Sequence, residues 1–540
     1  MILILPKSRI ILNKLLILIV TFFPLDGQCV NKIFKSLTLE EKIGQLFVIP
    51  VAQALGEEHL KDVQQLILQG RVGGILLKQG TAQGQKILIE KLQRLSPLPL
   101  LCLQDGEYGV AMRLSDVLAF PCNLTLGAVQ DLSLLYELGQ EIGRQCSLVG
   151  VHINLAPVVD VNSNPLNPII HTRSFGEDPF QVAKRAERVM QGMQSMGIFA
   201  CLKHFPGHGD TSIDSHVELP YVNRSLEELQ RVELFPFSAL IRSGAKSVMS
   251  AHLCVRALSP QPATFSHEII TTLLQKELKF QGLVISDALN MKALANNYSP
   301  GEIALNALLA GHDLLLYGDH IAPNIDQILR FNLPEAFDRL KAAVENHEIS
   351  EEIIDRHVSK IIQAKQDLGL FEKPFAKEGD NVAELLNSPA AYLLKKRLFE
   401  EAITMVCNEG VIPLAKEKIA LIELNSSETF KALLKETRDV EVFSVDDPGL
   451  LVKIQDFSCL VVTVSQLQAG EHAILHALAK SGIPAAAILF GTPYQLAKLP
   501  QFAAVVVAYE NAPEAQEAAA QVLLGKLSAR GKLPVRVRSW

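Results

Sequence analysis

From residue 45 onward, short apolar runs rich in β-branched residues alternate with longer stretches of helical spacing. The runs lie at 45–50, 72–78, 100–106, 152–161, 200–207, 246–253, 283–289 and 313–318. Between them, 132–149, 180–196, 226–241 and 268–280 repeat apolar residues every three or four positions, the period of a helix with one buried face. Two helix starts carry capping boxes, Thr38 with Glu41 and Ser225 with Glu228. Near-continuous apolar strands separated by helices predict a parallel sheet covered on both faces. A doubly wound sheet also alternates strand and helix, but eight consecutive units favour closure. The expected fold is α/β, a (β/α)8 TIM-type barrel over 29–372, whose eight strand–helix units span about 280 residues against a usual barrel size of about 250.

After Phe371 the periodicity falters, and 373–395 reads as a linker with Lys, Pro and Gly. A second alternating unit, 396–540, follows, with strands expected at 418–424, 440–445, 460–465, 485–490 and 503–509. Helical patterns at 427–436, 471–481 and 512–524 lie between some of them, so this part reads as a smaller open α/β sandwich. A length of 540 residues agrees with two or three domains. No GxGxxG or GxxxxGK[ST] follows any strand, so nucleotide binding has no support.

At the other end, Lys7, Arg9 and Lys14 precede an apolar run over 15–25, which meets Asp26-Gly27-Gln28-Cys29. That is the pattern of a secretory signal over 1–28, and the run is too short for a comfortable membrane span. Export (periplasmic, secreted, or lipid-anchored through Cys29) follows if the segment acts as a signal, and a cytoplasmic location if it does not. Composition narrows the class further. A net charge of −7 without a long basic run argues against nucleic-acid binding. Hydrophobic content of 48% with 20% charged residues suits a packed enzyme, while 6% aromatics and one Trp argue against aromatic carbohydrate-stacking platforms. None of the eight cysteines forms a CxxC pair, and most sit inside apolar runs as small buried hydrophobes.

The polar residues fall where a barrel enzyme needs them. Strand runs finish in Asp105 and Glu107, Asp160, Lys203 and His204, His252, and Asp287, with Asp319 after the last; barrels place their chemistry at these carboxyl ends. The densest cluster, KHFPGHGDTSIDSH from Lys203 to His216, holds three His, two Asp and one Lys in fourteen residues. His208, Asp210, Asp214 and His216 are plausible zinc ligands, but the order is not HExxH and no Cys or Glu cluster completes it. The stronger reading pairs Asp214 with His216. At two residues' separation on a loop, the carboxylate can accept the imidazole Nδ1–H and aim Nε2 into a pocket, an acid–base dyad. Asp287, ending the seventh strand within LVISDALNM, could by itself be a helix N-cap, but beside an acid–base group it is placed as the nucleophile of a two-step glycoside hydrolysis.

KHFPGHGDTSIDSH and ISDALNM together resemble the β-N-acetylglucosaminidase branch of glycoside hydrolase family 3. DGEYGVAMRL with Phe120-Pro121, HINLAPVVDVNSNP, RSFGED at 173–178 and a terminal GKLPV carry the likeness in the family's order. The resemblance implies Asp287 as nucleophile, His216 as proton donor and then base, and Asp214 as its partner. It places Asp105, Arg113, Arg173, Lys203 and His204 on the sugar, needs no cofactor or metal, and makes a carbohydrate the partner. Where many members have Gln-Glu-Gly-Gly after the sugar-binding Asp, Gly106-Glu107-Tyr108-Gly109 stands here, so preference beyond the terminal sugar stays open. Relatives acting on β-glucosides usually take their acid from the second domain. The dyad inside the barrel points instead to N-acetylglucosaminides, in peptidoglycan fragments or other amino-sugar oligosaccharides. Three other readings remain: a phosphorolytic enzyme of the same family, a metal-dependent hydrolase using the His cluster, and a sugar-binding scaffold on a dead barrel. Oligomeric state and the role of the second domain are not legible in the sequence.

Overall fold

The computed structural model describes residues 27–215, 218–318, 325–372, 381–415 and 418–537. Most of the expected signal segment, His216 and Asp319 lie outside these residues. Eight strands form one parallel sheet: β1 (Phe47–Val51), β2 (Gly74–Leu77), β3 (Leu101–Gln104), β4 (Ile153–Asn154), β5 (Phe199–Phe205), β6 (Ser247–Ser250), β7 (Leu283–Ser286) and β8 (Leu315–Leu316). They pair in sequence order, β8 pairs back onto β1, and a bridge between Ile285 and Leu314 joins β7 to the approach of β8. The expected barrel is thus present, and each strand overlaps one of the eight apolar runs, β1 and β5 each extending one residue beyond theirs. Every residue of β1, β2, β3, β5, β6 and β7 is buried, which is why these strands read as continuous rather than alternating hydrophobic runs.

Both capping boxes form, with the Thr38 and Ser225 hydroxyls accepting from the Glu41 and Glu228 amides and the two carboxylates accepting in return. The helix expected over 226–241 divides into Leu226–Arg231 and Leu234–Arg242. Pro236 explains the division: lacking an N–H, it is tolerated in the first turn of a new helix and not within a continuous one.

The second sheet comprises β9 (Thr404–Asn408), β10 (Ile419–Glu423), β11 (Val440–Ser444), β12 (Cys459–Val464), β13 (Ala485–Leu489) and β14 (Ala504–Val507). Its spatial order is β9-β14-β13-β12-β10-β11, parallel except for β9 against β14. Flanking helices Glu428–Lys435 and Pro513–Leu523 help complete an α/β sandwich. The described part of the expected linker is helical rather than irregular, at Val382–Leu386 and Pro389–Ala402. Its apolar residues explain this: Leu398 and Phe399 are buried in the core, while Lys395 and Lys396 pair with Glu514 and Glu517. Residues 373–380 lie outside the described part.

Seven cysteines, from Cys102 to Cys459, are free thiols. Burial pushes Cys102, Cys146 and Cys201 up to about 12, so these behave as the small hydrophobes expected of them. No described helix is long and apolar enough to cross a membrane.

Candidate active site

The carboxyl ends of the barrel strands enclose a cavity of about 280 Å³. Asp105 enters it just after β3, Lys203 and His204 from within β5, and Asp287 just after β7. Loops deliver Glu107, Arg113, Arg173, His208 and Ser215 to the same space, and Leu76, Met249 and Leu316 give it apolar walls. Six of the eight residues that the resemblance assigns to catalysis or to the sugar (Asp105, Arg113, Arg173, Lys203, His204 and Asp287) therefore share one pocket.

Their charges are matched to one another. Asp105 accepts from Arg113 Nη2 at 2.6 Å and from Lys203 Nζ at 3.0 Å. Lys203 Nζ also lies 2.9 Å from Glu107 Oε1. Arg173 grips Glu107 as a fork, Nη2 to Oε1 at 2.7 Å and Nε to Oε2 at 3.0 Å. Burial opposes ionisation of Glu107, but the charges of Arg173 and Lys203 overrule it and hold its pKa at about 2. Burial alone would likewise neutralise Lys203, and the two carboxylates instead raise its pKa. The result is a fixed lattice of donors and acceptors with little net charge, suited to polar, uncharged hydroxyls. Arg113 Nε is buried with no hydrogen-bond partner among the described residues.

Asp160 was legible only as a strand-end acid; its role is to hold the histidines. Its carboxylate accepts from the backbone N–H groups of His204 and His208 and sits 2.7 Å from His204 Nδ1. This fixes the proton on Nδ1 and turns His204 Nε2 towards Arg173 Nη2, 3.4 Å away.

The loop beyond β5 follows a path that only glycine allows at two points. Gly207 has φ +130°, and a Cβ on Gly209 would fall 1.7 Å from the Val161 carbonyl oxygen. His208 turns inward: Nδ1 lies 2.7 Å from Thr211 Oγ1 and Nε2 lies 3.1 Å from Ser215 Oγ. Burial and the neighbouring His204 bring its pKa down to about 4, so it is neutral at pH 7. Asp210 turns the other way, to Arg224 Nη2 at 3.0 Å. His208 and Asp210, two of the four candidate zinc ligands, thus have separate partners. Among the described residues no group of three or more His, Cys, Asp or Glu could hold a metal ion. Asp214 is half-buried on this loop and does not line the cavity, whereas Ser215 beside it does. His216, the other member of the expected dyad, lies outside the described residues.

The Asp287 backbone N–H donates to the Ser250 carbonyl at 3.1 Å, and its Oδ1 accepts from Ala288 N–H at 2.7 Å. His252, another strand-end residue, supports the next peptide, with Nε2 2.9 Å from the Ala288 carbonyl oxygen. Glu107 was recognised as a strand-end acid but not as a site residue. The signal that could have found it is the pair of cations, Arg173 and Lys203, which need more carboxylate than Asp105 supplies.

Residues 38–364 match the glycosyl hydrolase family 3 N terminal domain. Beta-hexosaminidase A of Pseudoalteromonas piscicida is 31% identical over 379 residues, covering 65% of this chain and 62% of that protein. The beta-hexosaminidase LpqI of Mycobacterium tuberculosis is 31% identical over 342 residues, covering 61% and 83%. The solved structure of a glycoside hydrolase family 3 beta-N-acetylglucosaminidase from a Paenibacillus species is 32% identical, with a TM-score of 0.79 over 93% of this chain and 99% of that one. The chain spans less than two thirds of the first relative and nearly all of the solved one. With well over half of its length inside the matched domain and a barrel that carries the expected residues at its strand ends, the chain belongs to glycosyl hydrolase family 3.

Proposed function

We propose that the protein is a retaining exo-glycosidase releasing terminal β-linked N-acetylglucosamine from amino-sugar oligosaccharides, among them peptidoglycan fragments. The observation that carries this reading is the placement of Asp287 in the same small cavity as the Asp105–Arg113–Lys203–Glu107–Arg173 lattice. Ligand pockets usually measure about 300–1,000 Å³. A cavity of about 280 Å³ suits one sugar ring and hence removal of a terminal residue. The names of the beta-hexosaminidase relatives and of the solved beta-N-acetylglucosaminidase support the amino-sugar over glucose.

In the first step an Asp287 carboxylate oxygen attacks the anomeric carbon, and the glycosidic bond breaks with its electrons leaving on the aglycone oxygen. His216, oriented by Asp214, protonates that oxygen. In the second step the neutral imidazole takes a proton from water, whose oxygen attacks the anomeric carbon and releases Asp287. Two displacements at one carbon return the original β configuration. The polar lattice meanwhile binds hydroxyls by exchanging water for fixed donors and acceptors, with no reorganisation during reaction.

Turnover of a chromogenic β-N-acetylglucosaminide beside the matching β-glucoside, with and without phosphate, tests the proposal. Preference for the amino-sugar, with free N-acetylglucosamine as product in both buffers, is expected. Formation of the sugar 1-phosphate would make phosphorolysis the better reading.

A further inference from the structure

None of the described residues lining the cavity belongs to the second domain. Yet the loops at the carboxyl ends of β13 and β14, where open α/β sheets usually build ligand sites, turn towards the barrel. Glu510, just after β14, crosses the boundary. Its Oε1 accepts from the Cys122 backbone N–H at 2.9 Å and from Thr125 Oγ1 at 2.5 Å. Those residues flank Asn123, whose Nδ2 donates to the Arg173 carbonyl at 2.6 Å. From the loop after β13, Tyr494 OH accepts from Asn162 Nδ2 at 2.5 Å. Its ring lies 5.0 Å from that of His171, in the same short turn as Arg173. The terminal strap closes the third side: the Pro534 carbonyl accepts from Glu177 N–H at 3.2 Å, and a Cβ on Gly176 would fall 2.4 Å from the same oxygen.

Backbone strain marks both faces of this contact. His171 has φ +33° and Tyr509, which presents Glu510, has φ +67°. Such conformations cost about 1–3 kcal/mol each and persist only where the surroundings over-determine them.

We infer that the second domain is a brace for the sugar pocket: Glu510 and Tyr494 are positioning residues that hold the His171–Arg173 turn and, through Arg173, the Glu107 carboxylate. The kinetic consequence rests on the proposed glycosidase activity; the structural consequence does not. Kinetics of the full chain on an aryl β-N-acetylglucosaminide carry the first test. Glu510→Ala should lower kcat/KM about 10- to 100-fold, mainly through KM, and Glu510→Gln, which keeps the acceptor oxygen, should recover most of the loss. In an Arg173→Ala background the same Glu510→Ala change should cost about twofold or less, since its route to the substrate is already gone. Fully additive losses would overturn the inference.

Hydrogen exchange of the unliganded full chain provides the second test. Glu510→Ala should speed exchange at amides 170–176 and leave the distant helix Leu234–Arg242 at its parental rate. Unchanged exchange at 170–176 would overturn the brace whether or not the parent hydrolyses anything. A parent without turnover on any β-N-acetylglucosaminide would instead sink the proposed function, and the exchange result would still decide the brace.

Discussion

Replacing Glu107 by Gln keeps the shape of the side chain and removes one charge from the most tightly paired group in the pocket. Glu107 receives Arg173 at 2.7 and 3.0 Å and Lys203 at 2.9 Å, with 6% of its surface exposed. Two routes give the size of the effect. A pKa lowered from 4.5 to about 2, at about 1.4 kcal/mol per unit, corresponds to about 3 kcal/mol of stability. Experience with buried ion pairs that lose one partner gives about 3–5 kcal/mol. For a domain of this size that is a fall of about 5 °C in the melting temperature of the barrel. Because the folded-state pKa is depressed, the contribution is fully present above pH 4.5 and is lost as pH falls from there towards 2. The gap between parent and Glu107→Gln should therefore be constant across neutral pH and narrow below 4.5. Calorimetric scans of both proteins at a series of pH values measure it. A gap below about 1 °C at pH 7, against the expected loss of about 5 °C, or one that persists undiminished into acid, would refute the ionised, doubly paired Glu107 on which the pocket description rests.

Glu233 gives the opposite pH dependence. Neither of its buried carboxylate oxygens has a hydrogen-bond partner among the described residues, Arg224 Nε lies 3.3 Å from one of them, and burial raises the pKa from 4.5 to about 7. A raised acid gives stability that is complete below pH 4.5 and lost as pH rises through 7. Glu233→Gln should thus match the parent near pH 4.5 and melt several degrees higher above pH 8, by melting curves at the two values. His216→Ala should slow natural disaccharides far more than activated aryl glycosides in the bond-breaking step, since general acid assistance is worth ~10²–10⁴-fold. The same variant should show a burst of aryl release in stopped-flow, and azide, which needs no base, should restore its turnover. Equal losses on both substrates without burst or rescue would reduce His216 to a binding residue.

The barrel was legible because its strands are buried on both faces, so eight apolar runs stand out and their ends collect the polar residues. β9 escaped the same test. Thr404–Asn408 is an antiparallel edge strand of intermediate burial, and its TMVCN carries neither a continuous apolar run nor a clean alternation. Within the site, the strand-end residues Asp105, Lys203, His204 and Asp287 could be read from position alone. What local pattern could not show was who pairs with whom. Arg173 reaches Glu107 across 66 residues and Lys203 reaches Asp105 across 98, so residues expected to offer donors to a sugar are already held by carboxylates. The grip of the second domain was still less accessible, because Glu510 meets Cys122 across 388 residues. His208 illustrates a limit of motif reading. It sits in the cluster like a ligand or acid–base group, yet its burial lowers its pKa and its two ring nitrogens already face Thr211 and Ser215.

The central claim is that Asp287 forms a covalent bond to the sugar. The direct measurement is mass spectrometry of the full chain after brief exposure to a 5-fluoro β-N-acetylglucosaminyl fluoride, a substrate whose first step outruns its second. The account predicts a mass increase of one fluorinated N-acetylglucosaminyl unit, mapped by peptide fragmentation to Asp287 and absent in Asp287→Asn. Attachment at another residue, or turnover without any trapped adduct and with inversion at the anomeric carbon, would contradict it.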